Sequence, residues 1–307
     1  MESEQYQKTI SKEVAFKGIG LHSGIQCEVK LLPAKADTGI LFLRKDKDIY
    51  QTISADYKFI SKSNLCTTLE NFDSTFRVFT VEHLLAAIKG NGIDNLIIEV
   101  SSSEVPALDG SSIEFDRIIK KAGIEVQSEK FKKYLVIKRN VSVKNGKSYI
   151  ELSPSNNFSI DCKIEFPEPI GQQQLKLGNS IKEIYNRVLN ARTFCFYEDV
   201  ESMKESGLAM GGSLENALVI KNKRVLNESG LRDKKEFVQH KILDMIGDLS
   251  LTGLSLKCSI KAYCPGHEIN KLIMREIFSN FSNYSIETCK KEDIKNFKQE
   301  AVISAVF

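Results

Sequence analysis

The strongest limit on how this chain can fold is the order in which its hydrophobic patterns change period. Short alternating runs come first, runs with helical spacing follow, and the order then starts again. In the first round Val14-Ala15-Phe16-Lys17, Gln26-Cys27-Glu28-Val29-Lys30-Leu31-Leu32 and Ile40-Leu41-Phe42-Leu43-Arg44 read as strands, and Asn95-Leu96-Ile97-Ile98-Glu99-Val100 as a buried one. Residues 80–89 have helical spacing, with Thr80 suited to the N-cap and Gly90 to the position just past the end. A second helix is predicted over 113–122, after the turn at Asp109-Gly110. The second round places strands at 134–137, 141–143, 148–152 and 158–166, and a helix at 181–189. A mixed segment over 192–220 leads to a long helix near 233–251, a strand at 255–263 and a last helix at 269–278. Strands first and helices after, twice over, predicts an α+β fold rather than a doubly wound parallel sheet. The polar stretch 125–133 (EVQSEKFKK) is read as the boundary between two domains, 1–127 and 128–307. Similarity between the two rounds is too weak to define a repeat.

A length of 307 residues, 42% hydrophobic and 27% charged, suits a soluble globular protein with a sizeable core. The net charge of +3 gives no basis for a nucleic-acid or membrane-surface partner. Lysine clusters at Lys130-Phe131-Lys132-Lys133 and Lys290-Lys291 are expected to be solvated surface charge. The seven cysteines form no C-x-x-C pair, the start Met1-Glu2-Ser3-Glu4-Gln5 is polar, and no apolar run is long enough to span a bilayer. The expectation is a cytoplasmic protein without an integral membrane segment, its thiols reduced and mostly small core residues.

The chain has four histidines, His22, His83, His240 and His267. The run His240-Lys241-Ile242-Leu243-Asp244-Met245-Ile246-Gly247-Asp248 places His240, Asp244 and Asp248 four residues apart, along one side of a helix. Ile242, Leu243, Ile246 and Leu249 point largely elsewhere, toward a core. His240 and Asp244 can therefore offer two metal-ligand atoms from one rigid element, or form a surface pair worth about a few tenths of a kcal/mol. Glu82-His83 opens the first capped helix, where the electropositive end favours an anion. The pair suits a ligand beside a group that reaches the metal's water, and equally a surface pair. His83, His240 and Asp244 would supply the three protein ligands of a catalytic zinc site, whereas the cysteine spacing of a structural site is absent. His267, in the turn Cys264-Pro265-Gly266-His267-Glu268, and His22, between Gly20 and Gly24, fit a catalytic loop position or an exposed one. Gly18, Gly20 and Gly24 fail the dinucleotide fingerprint, whose third glycine stands one residue earlier.

Taken in order, Gly18-Ile19-Gly20-Leu21-His22-Ser23-Gly24, Thr80-Val81-Glu82-His83-Leu84, Gly92-Ile93-Asp94-Asn95 and Leu108-Asp109-Gly110-Ser111 resemble one enzyme family. Ala191-Arg192-Thr193-Phe194, Gly211-Gly212-Ser213, His240-Lys241-x-x-Asp244-x-x-Gly247-Asp248 and Gly266-His267 continue the match over nearly the whole chain. The set resembles the UDP-3-O-acyl-N-acetylglucosamine deacetylases, the zinc enzymes of bacterial lipid A synthesis. The resemblance implies two similar α+β domains, each a two-layer sandwich of sheet and helices, with the active site between them. It implies one catalytic Zn2+ held by His83, His240 and Asp244, with Glu82 as general base. It implies His267 as general acid, Asp248 orienting or charge-stabilising it, Thr193 as a hydroxyl for the developing oxyanion, and Lys241 as a substrate contact. An acyl passage would fall on Phe194, Cys195, Phe196, Leu208, Met210 and Leu214, and a uracil site on Glu165 and Phe166. The implied substrate is a UDP-linked acylated glucosamine, with no nucleic-acid partner and no obligate protein partner. The tail 290–307 matches nothing in the family pattern, and residues 207–210 fall where the family varies. Two other functions remain compatible with the residues: a metal-dependent deacetylase of another N-acetyl sugar without an acyl passage, and a two-domain binding protein whose histidines only stabilise the fold.

Overall fold

The structure, a computed structural model, describes residues 2–46, 49–62 and 65–289. Lys290-Lys291 and the tail 290–307 lie outside the described residues. The chain runs through β1 (Tyr6–Ile10), β2 (Val14–Ile19), β3 (Gln26–Pro33), β4 (Ile40–Asp46) and β5 (Ile49–Ser54). A small hairpin, β6 (Thr68–Glu70) and β7 (Arg77–Phe79), precedes α1 (Glu82–Gly90), β8 (Leu96–Val100) and α2 (Ile113–Ala122). Strands β9 (Ile124–Phe131) and β10 (Lys133–Ile137) lead to β11 (Val141–Asn145), β12 (Ser148–Ser153), β13 (Ser159–Glu165) and β14 (Gln172–Leu177). There follow α3 (Ile181–Val188), β15 (Phe194–Phe196), α4 (Tyr197–Glu205), β16 (Leu218–Lys221), β17 (Arg224–Val225) and α5 (Glu236–Leu249). The described chain closes with β18 (Ser255–Lys257), β19 (Ser259–Tyr263), α6 (His267–Ser279) and β20 (Tyr284–Thr288). The fold is α+β, as the order of periods predicts.

Two five-stranded sheets carry the architecture, ordered β2-β3-β8-β4-β5 and β11-β12-β19-β13-β14. In each, every neighbouring pair is antiparallel except the third and fourth, β8 with β4 and β19 with β13. Each sheet covers one face. Along β3 the side chains of Cys27, Val29 and Leu31 are buried while Gln26, Glu28 and Lys30 are exposed, and β13 buries Ile160, Cys162 and Ile164 in the same way. Cys27, Cys66, Cys162 and Cys258 are buried, in line with the core role expected of most cysteines.

The helices that bear the site are buried on every side. All nine residues of α1 and all of α5 except Lys241 are buried, and the two helices pack on one another. Such a helix is enclosed rather than amphipathic. The contact is close because of one residue: a Cβ at Gly247 would lie 2.0 Å from the carbonyl oxygen of Glu82. Gly247 thus lets the first turn of α1 rest directly on α5.

Three expectations are corrected. Thr80 does not cap α1: it sits at φ 58°, its hydroxyl donates 2.9 Å to Glu104 Oε1, and α1 begins at Glu82 with no side-chain cap. Gly90 is the last helical residue, and the left-handed turn beyond it falls on Gly92, at φ 72°. In the stretch 125–133, β9 occupies most of the residues and pairs antiparallel with β1, so residue 127 lies inside a strand. Lys132 is buried rather than solvated, its Nζ donating 3.0 Å to the Gly92 carbonyl and lying 3.2 Å from Asp94. For Thr80 and Lys132 a long-range partner overrides local propensity.

Candidate metal centre and active site

Side chains from both sheet-and-helix sets converge where α1 meets α5. His83, from the first turn of α1, and His240 and Asp244, one turn apart on α5, are all buried, with one ligand atom each within 4.8 Å of the others. His83 Nε2 and His240 Nε2 stand 3.3 and 3.2 Å from the same oxygen, Asp244 Oδ1. That oxygen is buried and has no hydrogen-bond partner among the described residues. An orphaned carboxylate oxygen facing two imidazole nitrogens is costly in a dry interior unless a cation completes it. The donor set, two nitrogens and a carboxylate, therefore fits a divalent metal ion.

The surroundings orient these ligands. His240 Nδ1 lies 3.1 Å from the carbonyl oxygen of Ala191, so Nδ1–H donates there and Nε2 is left for a metal. Burial pushes the His240 pKa down to about 3, keeping the ring in the neutral form that a ligand needs. Lys241 Nζ donates 2.6 Å to Asp244 Oδ2, the oxygen that does not face the histidines. Burial opposes ionisation of Asp244, yet His240 and Lys241 outweigh it and hold its pKa well below the usual carboxylate range. The segment that offers the Ala191 carbonyl is itself pinned: the backbone N–H and Nε of Arg192 donate 3.1 and 2.9 Å to Glu236 Oε1, inside the core.

Glu82, next to His83 on α1, is buried, and burial raises its pKa against the pull of His267 and His83. His267 is the first residue of α6 rather than a loop residue. Its Nδ1 is 2.8 Å from Asp248 Oδ2 and its Nε2 is 3.7 Å from Glu82 Oε1. Burial disfavours the imidazolium, but the carboxylates of Asp248, Glu82 and Asp244 prevail and lift the pKa to about 9. Asp248, third in the α5 stripe, is fixed by Asn270 Nδ2 at 2.7 Å and the Thr67 hydroxyl at 2.5 Å.

Of the remaining expected site residues, Phe194 touches this cluster directly. Phe194 packs edge-on against His240, centroids 6.0 Å apart, and against Phe166 at 5.3 Å and Phe237 at 5.0 Å. Thr193 is half-buried, and its backbone is held between Gly110 and Leu218. Glu165 accepts a hydrogen bond from the Tyr263 hydroxyl at the end of β13. In the segment read as an acyl passage, Phe194, Cys195, Phe196 and Leu208 are half-buried while Met210 and Leu214 are exposed. His22 is buried, and the backbone N–H groups of His22 and Ser23 donate to Glu104, the same carboxylate that receives the Thr80 hydroxyl. Thr67, Asn270, Glu236 and Glu104 were not singled out in the sequence. Their roles come from partners far along the chain, and no local spacing signals them.

Two histidines and an aspartate able to hold a cation, beside a buried glutamate and a histidine–aspartate pair, are the parts of a metal-assisted hydrolytic site. Residues 7–279 match the family model described as UDP-3-O-acyl N-acetylglycosamine deacetylase, and the chain belongs to that family. It is 41% identical over 283 residues to the UDP-3-O-acyl-N-acetylglucosamine deacetylase of Syntrophus aciditrophicus, covering 91% of this chain and 88% of that protein. It is 42% identical over 286 residues to that of Haemophilus ducreyi, covering 92% and 93% of the two chains. The protein of that name from Colwellia psychrerythraea is 39% identical over 304 residues, covering 98% of this chain and 99% of its own. No helix among the described residues is long and apolar enough to cross a membrane.

Proposed function

We propose that this chain is a cytoplasmic zinc-dependent amidohydrolase that removes acetate from UDP-3-O-acyl-N-acetylglucosamine, a step of lipid A biosynthesis. The observation that carries the reading is the orphaned Asp244 Oδ1 facing His83 and His240, with Glu82 and His267 beside it. The names of the relatives supply the substrate class. In this reading 1–127 and 128–307 act as two domains with the site between them, which the shared strand order of the two sheets supports.

Zinc held by His83, His240 and Asp244 would polarise the acetamide carbonyl and make a nearby water acidic enough to attack at neutral pH. Glu82 takes one proton from the attacking water, and its raised pKa makes it a stronger base than an exposed glutamate. The Thr193 hydroxyl donates to the oxygen on which negative charge develops. As the C–N bond breaks, the electron pair stays on nitrogen, and His267 Nε2 delivers the proton that turns this poor leaving group into an amine. Asp248 keeps the His267 imidazolium available, because a carboxylate at 2.8 Å favours the charged ring. Lys241 lies beside the site and contacts substrate with Nζ protons not donated to Asp244. Phe194, Cys195, Phe196, Leu208, Met210 and Leu214 offer apolar surface to the acyl chain, and Glu165 with Phe166 receives the uracil ring by hydrogen bonding and stacking.

The test is a deacetylation assay on acylated and non-acylated UDP-N-acetylglucosamine, with and without a zinc chelator. Turnover of the acylated substrate, abolished by chelation and restored by zinc, is expected. Equal turnover of both would remove the acyl passage from the proposal. Turnover of neither by the zinc-loaded protein would overturn the proposal.

A further inference from the structure

Thr67 stands at the point where three segments of the chain meet. Its backbone N–H donates 3.1 Å to Glu82 Oε2, the first residue of α1. Its hydroxyl donates 2.5 Å to Asp248 Oδ1, 181 residues away on α5. The same hydroxyl oxygen lies 3.1 Å from His267 Nδ1 at the start of α6, 200 residues away. Thr67 is buried, as are Glu82 and Asp248. A hydroxyl has one proton and can accept as well as donate. The single Thr67 hydroxyl proton is donated to Asp248 Oδ1. What Thr67 then presents to His267 is a lone pair, and Nδ1 must carry a hydrogen shared between that oxygen and Asp248 Oδ2 at 2.8 Å.

We propose that Thr67 is a positioning residue that fixes the proton on His267 Nδ1 and ties the base Glu82 to the acid His267, leaving Nε2 as the nitrogen that trades protons with substrate. Its backbone arm sets the aim of the Glu82 carboxylate and its side-chain arm sets the tautomer and ring plane of His267. One residue thus holds both proton-transfer groups in a common frame, although they reside on different helices. The catalytic half of this inference rests on the roles given to Glu82 and His267 above, whereas the tautomer half rests on the contacts that Thr67 and Asp248 make with His267 Nδ1.

Two variants separate the arms from mere packing. Thr67→Val keeps the shape and the N–H but lacks the hydroxyl, and Thr67→Ser restores the hydroxyl. In the metal-loaded protein, at a pH above about 9 where the ring is neutral and has a tautomer to choose, imidazole nitrogen NMR should show a hydrogen-bonded Nδ1–H on His267 in the wild type and in Thr67→Ser. In Thr67→Val that signal should be weakened or split between tautomers. Where the wild type turns over the acylated substrate, kcat of Thr67→Val should fall about 10- to 100-fold, a fraction of what general acid–base groups contribute. KM, metal content and melting temperature should stay near wild type, and Thr67→Ser should recover most of kcat. An unchanged His267 spectrum in Thr67→Val overturns the proposal, as does a kcat within about twofold of wild type or a loss that serine fails to rescue. If the wild type shows no turnover, the proposed function fails on its own, and the NMR comparison still decides the role of Thr67.

Discussion

The two five-stranded sheets share strand order and strand direction, yet the chain between their fourth and fifth strands differs. In the first set that connection is short: the β6–β7 hairpin and then α1. In the second it is long: α3, the three-stranded β15-β16-β17 sheet with α4, and then α5. α1 delivers its functional groups from the first turn, Glu82 and His83, at the electropositive end of the helix. α5 delivers His240, Asp244 and Asp248 along its length, spaced one turn apart. One topology thus supplies two kinds of donor. Under the proposed roles, the base comes from the first residue of α1 and the ligand pair from positions one turn apart on α5. Neither helix alone can make the site.

The largest expected effects test that division. Removing His83, the single proposed ligand from the first set, should cost as much as removing Asp244 from the second. Either alanine variant should lose most bound metal and on the order of 10³-fold or more in turnover, since a metal ion supplies several kcal/mol. Metal analysis of the purified variants checks this. Full occupancy in His83→Ala would mean that α5 holds the ion by itself and that α1 contributes only the base.

Next come the proton-transfer groups, which the geometry separates from the ligands. Glu82→Gln should lose about 10²- to 10⁴-fold in kcat while keeping its metal, and His267→Ala a similar or smaller amount with metal also kept. Loss of metal in His267→Ala would shift His267 from proton donor to support of the metal site. A smaller, structural effect is expected at the seam between the helices. Gly247→Ala places a Cβ against the Glu82 carbonyl at 2.0 Å, and backbone cannot rotate aside. The variant should be destabilised by about 1–3 kcal/mol, typical of an overpacked core, and Glu82 should be displaced with α1. A thermal melt and a kcat measurement read both effects. An unchanged kcat in a destabilised variant would show that the base tolerates a shift of α1.

Much of this arrangement is written in local patterns, and the rest is not. α2 spans Ile113–Ala122, the range its periodicity predicts, because a polar face and an apolar face alternate cleanly there. The ligand pair on α5 is equally legible, since i, i+4 spacing is a property of one helix. The position of α1 was readable but its cap was not. Thr80 has the chemistry of an N-cap, yet its hydroxyl is drawn to Glu104, which also anchors the His22 loop, and its backbone is held at φ 58°. The charged stretch 125–133 reads as a domain boundary, and the strand within it is hard to see because β9 buries little of itself. Its pairing partner β1 lies at the other end of the first round, and Gln127 is tied to Asn95 and Ala34 by its side-chain amide. Thr67 was invisible for the same reason, as both side-chain partners lie 181 or more residues away.

The smallest expected effect concerns pH, and it again sets one helix against the other. His267 has its pKa lifted to about 9, because the carboxylates around it outweigh burial. As general acid it must carry a proton, so the basic limb of kcat should fall near pH 9 rather than near the ordinary histidine value of about 6.5. Glu82 must be ionised, so its raised pKa places the acidic limb above the normal glutamate range. The same shift on His267 has a stability consequence. A folded-state pKa above the unfolded one gives stabilisation that is complete below pH ~6.5 and fades as pH rises through about 9. Asp248→Asn removes the first-named carboxylate, so the basic limb should move to lower pH while Glu82, on α1, keeps the acidic limb in place. If both limbs move together, Glu82 on α1 and His267 on α6 titrate as a single coupled pair.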